Sequence, residues 1–380
     1  MTRPTQVAYF GPDAKDAAVK RRIVSMQQAG LAVRAYTMRR QDDADHGWDN
    51  VDLGYVRHVA FVRRIGAILR AIWRLRGHRD ALRAADLWVA RNLDMMVVAY
   101  VAHRMSGARA PLVYECLDIH RLMTRGDFVG RLMRRAERGL VAGSVDVIVS
   151  SPGFLREYFH PHYGSALPAT IIENRLPAGS IATPRPAPGT PPPGHDGRLT
   201  IGWYGVLRCP RSLALLRRVA GELPQRLQVV MHGYTKPEDL PDFDAQVAGI
   251  PNLRFEGRYR YPDDLERIYG GVDLVWAGDF HDAKFNSRWL LPNRLYEGGY
   301  FGVVPVAPAD SETGRWIAER DVGFVLQEPL ERTLPQFLAT VTTQQIAEKR
   351  QRLLELPEQV FVQPPSEIRD YVGRLVPAAR

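Results

Sequence analysis

Residues 280–305 read FHDAKFNSRWLLPNRLYEGGYFGVVP. The stretch follows one short apolar run, 274–276 (LVW), and ends inside a second, 303–307 (VVPVA). Both runs have strand length and strand composition. Between them, residues 294–300 have helical spacing, and Pro292 stands where a helix begins. Proline suits the first helical position, because its missing N–H would have no intrahelical partner there. Strand, helix, strand in this order makes a crossover unit, and crossover units build parallel sheets.

The same alternation extends outward in both directions. Residues 200–204, 229–231, 253–255 and 324–326 read as further strands, with helices over 213–222 and 263–269. Upstream, residues 177–197 break the rhythm; positions 184–193 are rich in Pro and Gly and lack an apolar period, the signature of a linker. Before them the alternation runs again, with strands at 7–10, 32–37, 87–90, 112–114, 145–149 and 170–173, and a helix over 14–28. The expected fold class is α/β, with two open parallel-sheet domains in tandem: residues 1–176, a linker over 177–197, and residues 198–364. A last segment, 365–380, has helical spacing at Ile368, Val372 and Leu375 and is placed as a terminal helix that crosses back to the first domain.

The chain has 380 residues, 45% of them hydrophobic, which suits two globular domains. Two cysteines, Cys116 and Cys209, make no disulfide framework, and no Cys/His cluster has zinc spacing. The first residues lack a signal-peptide pattern, and no run reaches the ~18 apolar residues of a membrane span. The expected location is cytoplasmic. The net charge of +9 is concentrated: residues 57–83 carry eight arginines against Asp80, and residues 121–138 carry six against Asp127 and Glu137. An anionic partner is expected there.

Ligands of open α/β sheets sit at the carboxyl ends of the strands. Neither 9–12 (YFGP) nor 204–208 (YGVLR) fits G-x-G-x-x-G, and no P-loop or G-x-S-x-G elbow occurs. A dehydrogenase is thereby disfavoured. The helix opening at Pro292 offers free N–H groups and a positive dipole end, a seat for a diphosphate. Glu297, one turn on, is spaced to accept hydrogen bonds from two vicinal hydroxyls such as those of a ribose, and Gly298 and Gly299 permit close backbone approach. On spacing alone, a solvated Glu297 and a merely capping Pro292 are the favoured reading.

The run VDLVW (272–276), then PNRLYE (292–297), then GVVPV (302–306) resembles the C-terminal signature of GT-B glycosyltransferases of family 4, in which P-x-K/R-x-x-E follows an acidic-start strand. Gly233 and the stretch FEGR (255–258) match further positions of that signature. YFGPD (9–13), ARNLD (90–94), YECLD (114–118), WYGVLRCP (203–210) and NSRWLLPNR (286–294) extend the resemblance, over nearly the full length, to the branch that elongates the succinoglycan repeat unit.

The resemblance implies roles. Glu297 would hold the ribose of a nucleotide sugar. Arg208 would face the diphosphate and stabilise charge developing on it as it leaves, although a plain surface charge is the alternative. Asn293, Arg294, Asn286, Ser287, Arg288 and Gly205 would complete the donor site, with Arg288 and Arg294 as rival cations. Arg258 and Tyr259, with Tyr261, would frame the base or else pack into the core. One departure stands out: the family places a glutamate eight positions before the nucleotide glutamate, and Trp289 is found instead.

In the first domain, Asp118 occupies the position of a family aspartate and would orient or deprotonate an acceptor hydroxyl, or else cap a following helix. Asp13, Arg91, Asn92 and His120, with Asp16, are the accompanying acceptor-site candidates, and Glu115 is expected to be buried with a partner. The arginine-rich segments 57–83 and 121–138 frame apolar stripes (Phe61, Ile65, Ile68, Ile72, Leu75; Phe128, Leu132, Met133, Ala136) that read either as amphipathic membrane-surface helices or as core.

The leading expectation is a retaining, metal-independent transfer of a hexose from UDP-glucose to a lipid-diphosphate-linked oligosaccharide in bacterial exopolysaccharide assembly. No cofactor is expected, and the location is the inner face of the plasma membrane. A nucleotide-sugar epimerase of the same fold, and a non-catalytic basic protein bound to membrane or nucleic acid, are the alternatives. The arginine segments lack the interleaved aromatics of single-strand binding, so nucleic acid is not expected as a partner.

Overall fold

The computed structural model describes residues 3–40, 47–56, 61–120, 122–191, 197–282 and 284–376, with 61–64 described by backbone alone. Expectations placed on 57–60, Arg121, 192–196 and 377–380, and on the side chain of Phe61, lie outside the described residues. The chain forms two compact units: Met1–Ala178 with Gln363–Arg380, and Gly179–Val362. The α/β architecture read from the alternation is the observed one.

The first unit holds a seven-stranded sheet: β1 (Gln6–Gly11), β2 (Ala32–Arg39), β3 (Asn50–Tyr55), β4 (Leu87–Arg91), β5 (Leu112–Cys116), β6 (Asp146–Val149) and β7 (Ala169–Ile171). They pair in parallel in the order β3-β2-β1-β4-β5-β6-β7. Buried on both faces, β4, β5 and β6 are apolar almost throughout, as central parallel strands must be. Strand β3 was not foreseen: Asn50, Asp52 and Gly54 read as turn residues, and the edge position tolerates them.

After β8 (Leu176–Pro177), the second unit adds β9 (Leu199–Leu207), β10 (Leu227–Thr235), β11 (Leu253–Phe255), β12 (Leu274–Trp276), β13 (Val304–Pro308) and β14 (Phe324–Leu326). Their order is β11-β10-β9-β12-β13-β14, the same topology as the first unit without its last strand. In each sheet the order reverses beside the first strand, at β1/β4 and at β9/β12. That reversal opens a crevice at the carboxyl strand ends. Strands β9 and β10 run past the expected ends and stay in register at Gly205 and Gly233. A Cβ on Gly233, whose φ is +141°, would lie 1.8 Å from the Gly205 carbonyl oxygen, so only glycine allows that pairing.

The proline-rich segment is not a free tether where it is described. Arg185 donates to the carbonyls of Leu353 and Leu356, at 2.6 Å each, and lies over the Phe361 ring. Tyr300 donates to the Thr183 carbonyl at 3.0 Å, and the Gly189 N–H donates to Gln351 at 2.7 Å. The segment therefore lies along the second unit. A short strand β15 (Val362–Gln363) pairs with β8. Helix Pro365–Leu375 then buries Ile368, Tyr371 and Val372 in the core of the first unit, against Val7, Val19, Ile23 and Met26.

The two arginine-rich helices of the first unit, Phe61–Arg74 and Phe128–Ala142, both pack against helix Asn92–Ser106. Helix Phe61–Arg74 buries Ala71 and half-buries Ile68 and Ile72, while Ile65, Leu69 (62% exposed) and Trp73 (66% exposed) form a second row facing solvent. Helix Phe128–Ala142 turns Gly130, Glu137 and Val141 inward. Its apolar stripe is mostly not core: Phe128 is 68% and Leu132 55% exposed, with Val129 and Ala136 exposed beside them, and Met133 is half-buried. The inward face is held by Glu137, which accepts from the hydroxyls of Tyr114, Tyr158 and Tyr163.

Candidate active site

The carboxyl ends of β9 and β12 are stitched together in the second unit. Phe280 N–H donates to Cys209 Sγ at 3.3 Å, and His281 Nδ1 lies 3.1 Å from the Arg208 carbonyl. Trp276 Nε1 donates to Ser212 Oγ at 3.0 Å. Within this frame sits Asp279, which the motifs of the sequence do not single out. It accepts from His281 N–H at 2.9 Å and from Ser287 Oγ at 3.1 Å, and faces Arg208 Nη2 at 3.7 Å. Burial raises its pKa, but the positive charges of Arg294 and Arg208, together with the hydrogen bonds from His281 and Ser287, hold the carboxyl below its usual range.

The three candidate cations fall into different places. Arg208 is half-exposed at the end of β9. Arg294 is buried and donates to the Gly278 carbonyl at 2.7 Å, so it buttresses the turn after β12; burial lowers its pKa, against the opposing charge of Asp279. Arg288 is exposed and paired with Asp310. Ser287, expected at the donor, is buried and spent within the protein: its hydroxyl donates to Asp279 and accepts from Asp282 N–H. Asn286 donates to Asp282 at 3.3 Å. Trp289 is half-buried, edge-on to Phe285 with ring centroids 5.6 Å apart.

Helix Asn293–Tyr300 opens one residue later than expected, with Pro292 as its N-cap and Asn293 half-buried in the first turn. Glu297 is not a solvated helix residue. It is buried and accepts from the Tyr269 hydroxyl at 2.8 Å. Burial first, then the Glu297 charge, pushes the Tyr269 phenol up, and Tyr259 lies close enough to add to the shift. Tyr269 meets Tyr204 edge-on at 4.9 Å, and Tyr204 packs on His232. Glu297 is thus tied through Tyr269 to an aromatic group at the carboxyl ends of β9 and β10. Gly205 there has φ +107°, and a Cβ on it would meet nothing within 4 Å. Gly299 admits a protein neighbour: a Cβ on it would lie 2.2 Å from the Phe361 ring. Arg258 lies over the Tyr234 ring at 4.7 Å.

In the first unit, Arg91 ends β4, but the residue is 1% exposed and its Nε donates to Glu115 at 2.9 Å. Arg22 Nε donates to the other carboxylate oxygen at 2.6 Å, and the Tyr9 hydroxyl adds a third bond at 3.1 Å. The expectation of an acceptor contact at Arg91 gives way to a core ion triad around Glu115. Asn92, at φ +62°, accepts from Leu117 N–H at 3.3 Å and ties the ends of β4 and β5 together. Asp118 is exposed and caps no helix, since the next helix is capped by Asp127. His120 is half-buried, and its Nδ1 accepts from Leu122 N–H at 3.2 Å. Asp13 accepts from Lys15 N–H at 3.1 Å near Arg40, and burial raises its pKa. Asp16 caps helix Ala17–Gln28.

Comparison with known proteins bears on this arrangement. No family model matches the chain. The succinoglycan biosynthesis protein ExoL of Rhizobium meliloti (strain 1021) is 40% identical over 354 residues, covering 92% of this chain and 87% of that protein. The chain belongs to the ExoL family. Among solved structures, Anabaena Alr3699/HepE in complex with UDP and glucose superposes with TM-score 0.71 at 14% identity, covering 97% of this chain and 98% of that one. WaaG, a glycosyltransferase involved in lipopolysaccharide biosynthesis, gives TM-score 0.62 at 15% identity, covering 96% and 99%. This ExoL-family protein accordingly has the GT-B fold shared by these structures. Among its described residues, no three His, Cys, Asp or Glu side chains gather into a metal-holding group, and no helix is long and apolar enough to cross a membrane.

The side chains missed in the sequence are Asp279, Tyr204, His232 and Tyr269. Asp279 follows β12 by three residues and could have been found by the strand-end rule. The aromatic three carry no motif and become visible only once their rings meet.

Proposed function

We propose that this protein is a glycosyltransferase that moves a hexose from UDP-glucose to a lipid-linked oligosaccharide in succinoglycan-type exopolysaccharide assembly, as a retaining enzyme of family 4. The observation that carries this reading is the convergence, in the second unit, of the β9/β12 strand ends, the Arg208 and Arg294 cations, and a helix whose buried Glu297 is held by Tyr269. A diphosphate suits the cations and the helix N-terminus, and a ribose diol suits a buried carboxylate. Arginines and helix dipole supply positive charge at the leaving diphosphate, so the chemistry asks for no metal. The UDP and glucose held by the Anabaena protein, and the succinoglycan role of the Rhizobium relative, support the donor and the product class.

A lipid-linked acceptor brings the enzyme to the membrane. The row Ile65, Leu69, Trp73 and the row Phe128, Leu132, both among arginines, are the face that would rest on an anionic inner leaflet. Asp118, Asp13 and His120, after the strands of the first unit, would meet the acceptor, with Asp118 taking the hydroxyl proton. A thermal-shift panel of UDP-, GDP- and dTDP-glucose tests the donor. Ligand at about 100 times its Kd adds about 2.7 kcal/mol of stability, and UDP-glucose should raise the melting temperature by several degrees. A shift with GDP-glucose and none with UDP-glucose would reassign the base.

A further inference from the structure

We infer that Asp279 is the positioning residue for Arg208: it holds the guanidinium at the end of β9 so that its remaining N–H donors meet the diphosphate of the donor. This rests on the donor-site reading above. The two members of the pair are held differently. Asp279 is the fixed partner, its side chain 11% exposed and anchored through Oδ1 by His281 N–H and Ser287 Oγ. Arg208 is the looser partner, its side chain 38% exposed, reaching Oδ2 with Nη2 at 3.7 Å. One carboxylate oxygen is therefore committed to the loop, and the other is presented to the cation.

A guanidinium carries five donors in a rigid fork, so a carboxylate on one edge leaves the other edge for phosphate oxygens. Without the carboxylate, a half-exposed arginine samples many rotamers, and ordering it is charged against binding. A second cation, the buried Arg294, adds its positive charge at the same carboxylate and helps to keep it ionised, so Asp279 remains an anchor at neutral pH. Ser287 thereby acquires a role of its own, because its hydroxyl bridges Asp282 N–H and Asp279 Oδ1 and fixes the anchor itself.

A double-mutant cycle read by calorimetry tests this, with UDP and uridine as probes of the full-length protein. Asp279→Asn keeps an oxygen for His281 and Ser287 but removes the charge that holds Arg208. In the wild type, Arg208→Ala should weaken UDP about tenfold or more; in the Asp279→Asn background it should weaken UDP less than about threefold. Uridine, which lacks phosphate, should bind all four proteins alike. An undiminished cost of Arg208→Ala beside Asp279→Asn would overturn the inference, as would a loss of uridine affinity in Asp279→Asn, which marks structural damage. If Arg208→Ala costs nothing even in the wild type, the placement of Arg208 at the diphosphate fails, and the inference fails with it.

Discussion

Glu115 has two arginines and one tyrosine hydroxyl around it, all buried. Burial raises the carboxyl pKa, but Arg91 and Arg22 outweigh it and bring the pKa down from 4.5 to about 2. A depressed acid pKa contributes stability that is full above the unfolded value and is lost as pH falls through the folded one. That window runs here from pH 4.5 down to about 2. Glu115→Gln leaves two buried guanidinium groups without a counter-charge, and breaking a buried pair in this way costs about 3–5 kcal/mol. Denaturant unfolding at pH 7 should show a loss of that order, narrowing as pH approaches 2, because acid neutralises the wild-type carboxyl as well. A loss that stays constant with pH would mean that packing, not charge, is what the substitution removes. At this scale the sequence was partly legible: a glutamate inside an apolar strand implies a partner. Which arginine serves was hidden, because Arg22 lies on a helix and Arg91 looks like any strand-end residue.

Among the elements, the arginine-rich helices illustrate why periodicity alone left two readings open. In Phe61–Arg74 the stripe through Ile68 and Ile72 does pack inward, while Ile65, which the one-stripe count placed with them, joins Leu69 and Trp73 in a second, exposed apolar row. In Phe128–Ala142 the inward side is fixed instead by a polar group, Glu137 and its three tyrosines, so the apolar stripe is left outside. Leu69→Glu with Trp73→Glu removes apolar surface worth about 1.5–3 kcal/mol per side chain if buried in lipid. The double variant should unfold like the wild type, since both residues are mostly exposed, yet sediment with phosphatidylglycerol vesicles at least about tenfold more weakly. Undiminished sedimentation would take helix Phe61–Arg74 out of the membrane contact.

For the whole molecule, the alternation of strands and helices fixed the class early because parallel strands need crossovers and parallel sheets need cover. The terminal helix shows the limit of that reading. Its stripe of Ile368, Val372 and Leu375 announced an apolar face, but only the packed first unit shows what it covers and that Tyr371 joins it. The site shows the same limit: strand-end positions pointed to Arg208 and the helix at Pro292, whereas the joining of Glu297 to Tyr269, and of Tyr269 to Tyr204, arises from three distant stretches of chain. The proposed donor recognition turns on Glu297 gripping the ribose. Its most direct test is the affinity of UDP against its 2′,3′-dideoxy analogue, in the wild type and in Glu297→Gln, which keeps an oxygen for Tyr269. A hydrogen bond to a charged group is worth about 1.5–3 kcal/mol, so the wild type should prefer UDP by about tenfold or more and Glu297→Gln should lose most of that preference. An equal preference for UDP in both proteins would contradict the account.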